Sequence, residues 1–116
     1  MYYVIQRLHG IKNKSFVSYS VPKYISSPKN SNIIFEFGEK PNVKRKWAPK
    51  EEIVLLTQDK VFFINYLKKL KEKEAAYLKK IDAQKKRLDV LYQELDESMH
   101  QEFDSIKNSK ESPSLL

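Results

Sequence analysis

One histidine and two aspartates recur at a four-residue spacing in the second half of the chain. Asp96, His100 and Asp104 would share one face of a helix, because residues four apart are neighbours on a helical surface. An imidazole flanked by carboxylates offers ligands to Zn²⁺ or Ni²⁺, and a symmetric oligomer could complete the coordination shell. The pattern predicts a divalent-metal site here. The alternative is an ordinary solvated acidic face.

A second group of residues combines positive charge with an aromatic ring. It consists of three consecutive basic residues, the single tryptophan and two flanking lysines: Lys44, Arg45, Lys46, Trp47, Lys40 and Lys50. Basic side chains bind phosphates and an aromatic ring can stack on a base, so the group predicts a surface for DNA or RNA. The alternative is that Trp47 is buried or half-buried beneath the helix predicted to follow.

Residues suited to catalysis are few. The chain has no cysteine and two glycines, and it contains neither a glycine-rich phosphate loop nor a nucleophile-elbow serine. Its acidic residues cluster on a predicted exposed helix, where nothing would raise a carboxyl pKa into a catalytic range. We therefore expect a binding or regulatory protein rather than an enzyme, with no cofactor other than the divalent metal considered above.

Length and charge set further limits. The chain of 116 residues corresponds to one domain, and its net charge of +7 favours anionic partners such as nucleic acid or an acidic protein. It has no apolar run of roughly 18–20 residues that would span a bilayer. Its first residues are typical of a strand rather than of a signal peptide. These features predict a cytoplasmic protein without a membrane partner.

The first half of the chain has the composition of short strands. Apolar and aromatic runs alternate with turn residues, and they lie at 2–8, 15–21, 33–37, 43–48 and 53–56, with a loop at 22–32. This spacing predicts a small antiparallel sheet or partly closed barrel over residues 1–57. The same segment carries ten basic and four acidic residues.

The second half is predicted as one long helix. Neither glycine nor proline occurs between Lys50 and Ser112, and Thr57 or Asp59 can cap the start of the helix. Apolar residues then recur at the three- and four-residue intervals of a coiled coil, at Leu67, Leu70, Tyr77, Ile81, Leu88, Leu91, Leu95, Met99 and Phe103. We predict a coiled-coil-like helix over residues 58–108 and a flexible tail over residues 109–116.

Charge is divided unevenly along this predicted helix. Residues 60–87 carry ten basic and three acidic side chains, whereas residues 88–104 carry six acidic side chains and neither lysine nor arginine. Two antiparallel copies would place each basic half beside the acidic half of the partner, which predicts an antiparallel homodimer or a higher oligomer. A helix that folds back on itself is the alternative, and the absence of a helix breaker near the midpoint disfavours it.

These patterns together predict an α+β, non-enzymatic regulator that self-associates through its helix and binds nucleic acid through its basic and aromatic residues. Two alternatives remain open. One is an adaptor or inhibitor that docks a protein partner on the exposed part of the helical stripe. The other is a metal-responsive regulator that uses His100.

Overall fold

The computed structural model describes residues 1–10, 13–84, 88–109, 113 and 115, except for the side chain of Leu88. Within these ranges the chain forms six strands followed by two helices, so the predicted α+β class is confirmed. The strands are β1 (Tyr2–Arg7), β2 (Phe16–Val21), β3 (Lys23–Ile25), β4 (Asn32–Phe37), β5 (Lys44–Pro49) and β6 (Ile53–Thr57), and the helices are α1 (Lys60–Ala83) and α2 (Leu88–Asn108).

The strands form two antiparallel sheets that are not closed into a barrel. Sheet A has the strand order β2-β1-β6, and sheet B has the order β3-β4-β5. The chain passes from sheet A to sheet B at Pro22, between β2 and β3. Proline has no N–H to donate to a ladder, so it suits the point at which one strand ends and the next begins in another sheet.

Sheet A has an apolar core on each of its faces. Successive residues of β1 point to opposite sides, so Val4 lies in the core between the sheets and Ile5 in the core beneath the helices. Strand β6 has a β-bulge at Val54, because Ile5 of β1 pairs with Leu55 and the next residue, Gln6, pairs with Ile53. Val54 and Leu55 both join the core beneath the helices. The fold therefore has three layers, which are the helices, sheet A and sheet B.

Helix α1 begins where the sequence supplies a cap. The Asp59 carboxylate accepts a hydrogen bond from the backbone N–H of Phe62 at 3.0 Å, which satisfies one of the free donors of the first turn. Thr57, the other predicted cap, accepts a hydrogen bond from the N–H of Asp59 at 2.9 Å instead. Asp59 is therefore the residue that caps the helix.

The single long helix is not confirmed, because this region contains two helices. Helix α1 ends at Ala83, and Gln84 leaves the helical conformation with φ −130° and ψ 64°. The three basic residues at 85–87 lie outside the described part of the chain. The absence of glycine and proline is only a weak argument for continuity, since tertiary packing of an apolar face outweighs local helix propensity.

The predicted stripe is covered largely from within the chain. Five of its members are buried in the core beneath the helices and three pack at the border of that core: Leu70, Ile81, Leu95, Met99 and Phe103, then Leu67, Tyr77 and Leu91. The side chain of Leu88 lies outside the description. A second copy is therefore not required to cover these side chains, which removes the ground for a homodimer seam along this stripe.

The uneven charge is also matched within the chain. The antiparallel packing of α1 and α2 brings the basic helix beside the acidic one. The Glu102 carboxylate of α2 lies 3.0 Å from the Lys73 Nζ atom and 3.4 Å from the Lys69 Nζ atom of α1. The antiparallel charge pairing expected between two chains thus occurs between two helices of one chain. Within the described residues, neither helix is long and apolar enough to cross a membrane.

In the described part of the predicted flexible tail, Leu115 contacts the body of the protein. The backbone N–H of Leu115 donates a hydrogen bond to the carbonyl oxygen of Leu56 in β6 at 2.8 Å. Most of the other residues between 109 and 116 lie outside the described part of the chain. This contact places the described end of the chain beside sheet A.

Replacing Glu102 by glutamine is expected to destabilise the protein near neutral pH but not in acid. A hydrogen bond from Lys73, together with the charges of Lys73 and Lys69, holds the pKa of Glu102 below its ordinary value despite some desolvation. The carboxylate therefore stabilises the fold above its unfolded-state pKa, and this contribution is lost as the pH falls through the folded-state pKa.

We expect a loss of about 1 kcal/mol or less in urea unfolding near neutral pH, as for other partly exposed ion pairs. Glu94→Gln is the control, because Glu94 lies on the exposed face of α2. If Glu102→Gln costs the same stability on both sides of the carboxyl titration, the ionic explanation is wrong.

Candidate nucleic-acid interface

Strand β5 lies at an edge of sheet B and carries four of the six predicted nucleic-acid residues. Its partner in the sheet is β4. Side chains alternate along a strand, so Arg45 and Trp47 share one face, and Lys44 and Lys46 share the other face with the buried Ala48. We call the face of Arg45 and Trp47 the outer face, because the opposite face packs towards sheet A.

Trp47 is exposed, which corrects the interpretation that places it under a helix. Its side chain is 59% exposed. The helices pack against sheet A and leave the outer face of sheet B uncovered. Trp47 lies opposite Ile34 of β4, and Ile34 lies opposite Ile25 of β3, which is itself 42% exposed. We call these three side chains, Ile25, Ile34 and Trp47, the apolar row.

A second row of side chains, the charged row, lies on the same face, two residues away from the apolar row along each strand. It consists of Lys23, Glu36 and Arg45, which lie opposite one another in the register of β3, β4 and β5. The Arg45 Nε atom donates to Glu36 at 3.1 Å, and the Lys23 Nζ atom lies 3.9 Å from the other carboxylate oxygen. The Glu36 side chain is only 13% exposed, whereas both basic side chains are largely exposed. The row therefore presents positive charge to solvent.

Lys46 lies on the other side of β5 and has a partner in sheet A. Its Nζ atom is 4.4 Å from the centroid of the Tyr19 ring. The Tyr19 hydroxyl donates to Gln6 Oε1 at 2.6 Å, and Gln6 Nε2 donates to Glu52 Oε1 at 3.0 Å. Burial, together with the charge of Glu52, raises the pKa of Tyr19 to about 12, so the hydroxyl remains a donor at neutral pH.

The remaining predicted lysines lie at the two ends of β5. Lys40 is exposed in the turn between β4 and β5, just before Pro41, and Lys44 is exposed at the start of β5. Lys50 follows the other end of the strand, and its Nζ atom donates to the carbonyl oxygen of Ser27. Arg45 and Trp47 thus lie on one face of β5, and Lys40 and Lys44 lie near the start of that strand. Lys50 instead binds the loop that contains Ser27.

Two of the three predicted metal ligands, Asp96 and His100, contact an arginine. The Nη2 atom of Arg7 donates to both carboxylate oxygens of Asp96, at 3.1 and 3.2 Å, and its Nη1 atom contacts His100 Nδ1. The other ring nitrogen of His100 lies 3.3 Å from Asp104. A guanidinium in this position repels a metal cation. Among the residues that the structure describes, no group of three or more His, Asp or Glu residues could hold a metal ion.

Sequence reasoning missed the partners of Trp47 and Arg45 because strand register brings them together. Ile25 and Ile34 are distant from Trp47 along the chain, and so are Lys23 and Glu36 from Arg45. The sequence of β4 carries one useful signal, which is its alternation between the two faces of a sheet. Ile34 and Glu36 therefore lie on one face, and the buried Ile33 and Phe35 lie on the other. Arg7 was missed for the same reason, because 89 residues separate it from Asp96.

The outer face of sheet B therefore combines the apolar row, which includes the exposed Trp47, with two exposed basic side chains. All of them project from hydrogen-bonded strands. A regular sheet holds these groups at fixed spacings without help from a ligand. Comparison with known proteins gives no match to this chain, whether with protein-family models, with curated protein sequences or with solved structures.

Proposed function

We propose that this chain is a non-enzymatic nucleic-acid-binding protein and that the outer face of sheet B is its binding surface. The observation that carries the proposal is the exposure of Trp47 beside Arg45 on an edge strand. A tryptophan side chain gains much free energy when it is removed from water, so an exposed one next to other apolar side chains suits contact with a ligand. A base offers a flat apolar face, and its phosphate offers the negative charge that the basic side chains attract.

The distribution of charge supports the same surface. The chain carries a net charge of +7, Lys23 and Arg45 are exposed beside the apolar row, and Lys44 is exposed at the start of β5. The acidic helix α2 packs on sheet A, in a different layer from sheet B. Its carboxylates therefore lie away from the outer face, and an anionic ligand meets mainly basic side chains there.

The two alternative functions have less support from the geometry. The adaptor hypothesis uses the helical stripe, but Leu95 and Met99 of that stripe are buried within the chain. The metal-responsive hypothesis uses His100, but the guanidinium of Arg7 contacts that ring. A protein partner on the outer face of sheet B remains the alternative that an experiment must distinguish.

Fluorescence anisotropy of labelled DNA across a salt series tests the proposal. We expect binding that weakens steeply with salt, because each phosphate contact releases counterions from the nucleic acid. Replacing Lys23, Lys44 and Arg45 together by alanine should weaken binding by roughly tenfold or more and reduce the slope of log affinity against log salt by about 2 for a single strand.

The matched control removes the same charge from another surface. Lys68, Lys71 and Lys79 are exposed on α1, in the helical layer, and their replacement by alanine also lowers the net charge by three. We expect this control to retain most of the affinity and most of the salt slope. Equal losses in the two triple variants would mean that net charge, rather than sheet B, drives binding. An absence of binding at low salt would refute the proposed function.

A further inference from the structure

The apolar row provides information about the form of the nucleic acid. We infer that the outer face of sheet B binds single-stranded nucleic acid, with an unpaired base stacked on Trp47 and the sugar-phosphate backbone along the charged row. This inference rests on the proposed function and narrows it. It also identifies Trp47 as the residue that distinguishes a single strand from a duplex.

The spacing of the two rows fits a nucleotide. Neighbouring strands lie about 4.8 Å apart, so the apolar row from Ile25 to Trp47 extends about 10 Å across the sheet. Residues two apart on a strand are separated by about 6.8 Å, which is therefore the distance between the two rows. A base that lies on the apolar row places its phosphate to one side of the ring, where Lys23 and Arg45 are exposed.

A duplex cannot use the apolar row in this way. Its bases are stacked on one another, and proteins read them through hydrogen bonds to base edges in the grooves. Ile25 and Ile34 have neither a donor nor an acceptor in their side chains, so they can contribute only to contact with an apolar face. The charged row binds phosphates of either form. The apolar row therefore adds more affinity for the single strand, whose ring faces are open, than for the duplex.

The positive charge beside the apolar row favours single-stranded nucleic acid over a neutral apolar partner. Lys23 and Arg45 neutralise the single carboxylate beneath them and leave excess positive charge beside the row. A nucleotide of an anionic strand complements this arrangement, because every nucleotide carries one phosphate and one flat ring. Single-stranded nucleic acid therefore satisfies both rows with one repeating unit.

Trp47 is the only tryptophan of the chain, so its fluorescence reports directly on the proposed stacking. We would titrate the protein with an oligothymidine and with a DNA duplex of the same length, following Trp47 fluorescence and, independently, the anisotropy of a label on the DNA. We expect the single strand to quench Trp47 and to bind more tightly than the duplex. Trp47→Ala should weaken single-strand binding about 5- to 150-fold and leave duplex binding nearly unchanged.

Two further variants sharpen the result. Trp47→Phe keeps an aromatic face and should retain most of the single-strand affinity. Ile64→Ala removes an exposed apolar side chain from α1, in the helical layer, and should change neither binding nor quenching. If the duplex binds as tightly as the single strand and Trp47→Ala weakens both equally, the inference is wrong while nucleic-acid binding stands. If neither DNA binds, the proposed function fails as well, and the row becomes a surface for a protein partner.

Discussion

Phe35→Ala is expected to lower the free energy of unfolding by about 3–5 kcal/mol, the largest effect of any single change considered for this fold. Phe35 is fully buried in the core between the two sheets, and its ring meets the Tyr19 ring edge-to-face at 5.6 Å between centroids. Truncation leaves a cavity that two paired sheets cannot easily collapse. The expected loss is a large part of the roughly 5–15 kcal/mol that stabilises a typical domain.

Urea unfolding followed by circular dichroism measures this loss, and β4 offers a matched control. Phe37 is the same residue type on the same face of the same strand, but it is only half-buried at the border of the core. We expect Phe37→Ala to cost clearly less than Phe35→Ala. Similar costs for the two variants would mean that the centre of the inter-sheet core is not at Phe35.

Met99→Ala is expected to lower the free energy of unfolding by about 2–5 kcal/mol. The unfolding midpoint of the unmodified chain should not depend on protein concentration. Met99 is almost fully buried beneath α1 and against sheet A, within a single chain. A seam between two chains would instead make stability rise with protein concentration, because association favours the folded dimer. Unfolding at several concentrations therefore distinguishes the two arrangements.

The control for Met99 lies on the other side of the same helix. Val90 is 57% exposed on α2, so Val90→Ala should change stability by no more than about 0.5 kcal/mol. If the midpoint of the unmodified chain shifts with concentration, the helical stripe takes part in self-association despite its burial within the chain. That result would restore the homodimer hypothesis.

Much of the strand pattern could be predicted because its signals are local. The predicted strands at 2–8, 15–21 and 53–56 lie within one residue of β1, β2 and β6 at each end. Strand β3 was missed, because three residues between turn formers carry almost no periodic signal and become a strand only by pairing with β4. The division into two sheets depends on the pairing of β1 with β6, which no local pattern encodes.

The helical region shows how one sequence pattern can fit more than one arrangement. The apolar stripe and the antiparallel charge match were both read correctly from the sequence, but both are satisfied inside one chain. Helix continuity was inferred from the absence of glycine and proline. The chain leaves the helix at Gln84 without either residue. Packing α2 antiparallel to α1 buries Leu95 and Met99 against sheet A, and this burial favours two helices over one.

The candidate site was predictable only in part. Arg45 and Trp47 lie close together in sequence, so a local pattern identifies them, whereas Lys23 lies in β3, far from both. Their accessibility depends on which sheet the helices cover, and the alternative that buried Trp47 beneath a helix was wrong for that reason. The apolar row could not be recognised from sequence, because Ile25 belongs to β3, the strand that local signals did not reveal.

Amide chemical shifts of the ¹⁵N-labelled protein, recorded while unlabelled oligothymidine is added, would locate the nucleic-acid-binding surface residue by residue. We expect the largest changes on the indole N–H of Trp47 and on the amides of β3, β4 and β5, with little change in α2. They should diminish as salt is raised, because phosphate contacts contribute to the binding. Changes confined to the lysines of α1, or no changes at low salt, would contradict the assignment of sheet B as a nucleic-acid-binding surface.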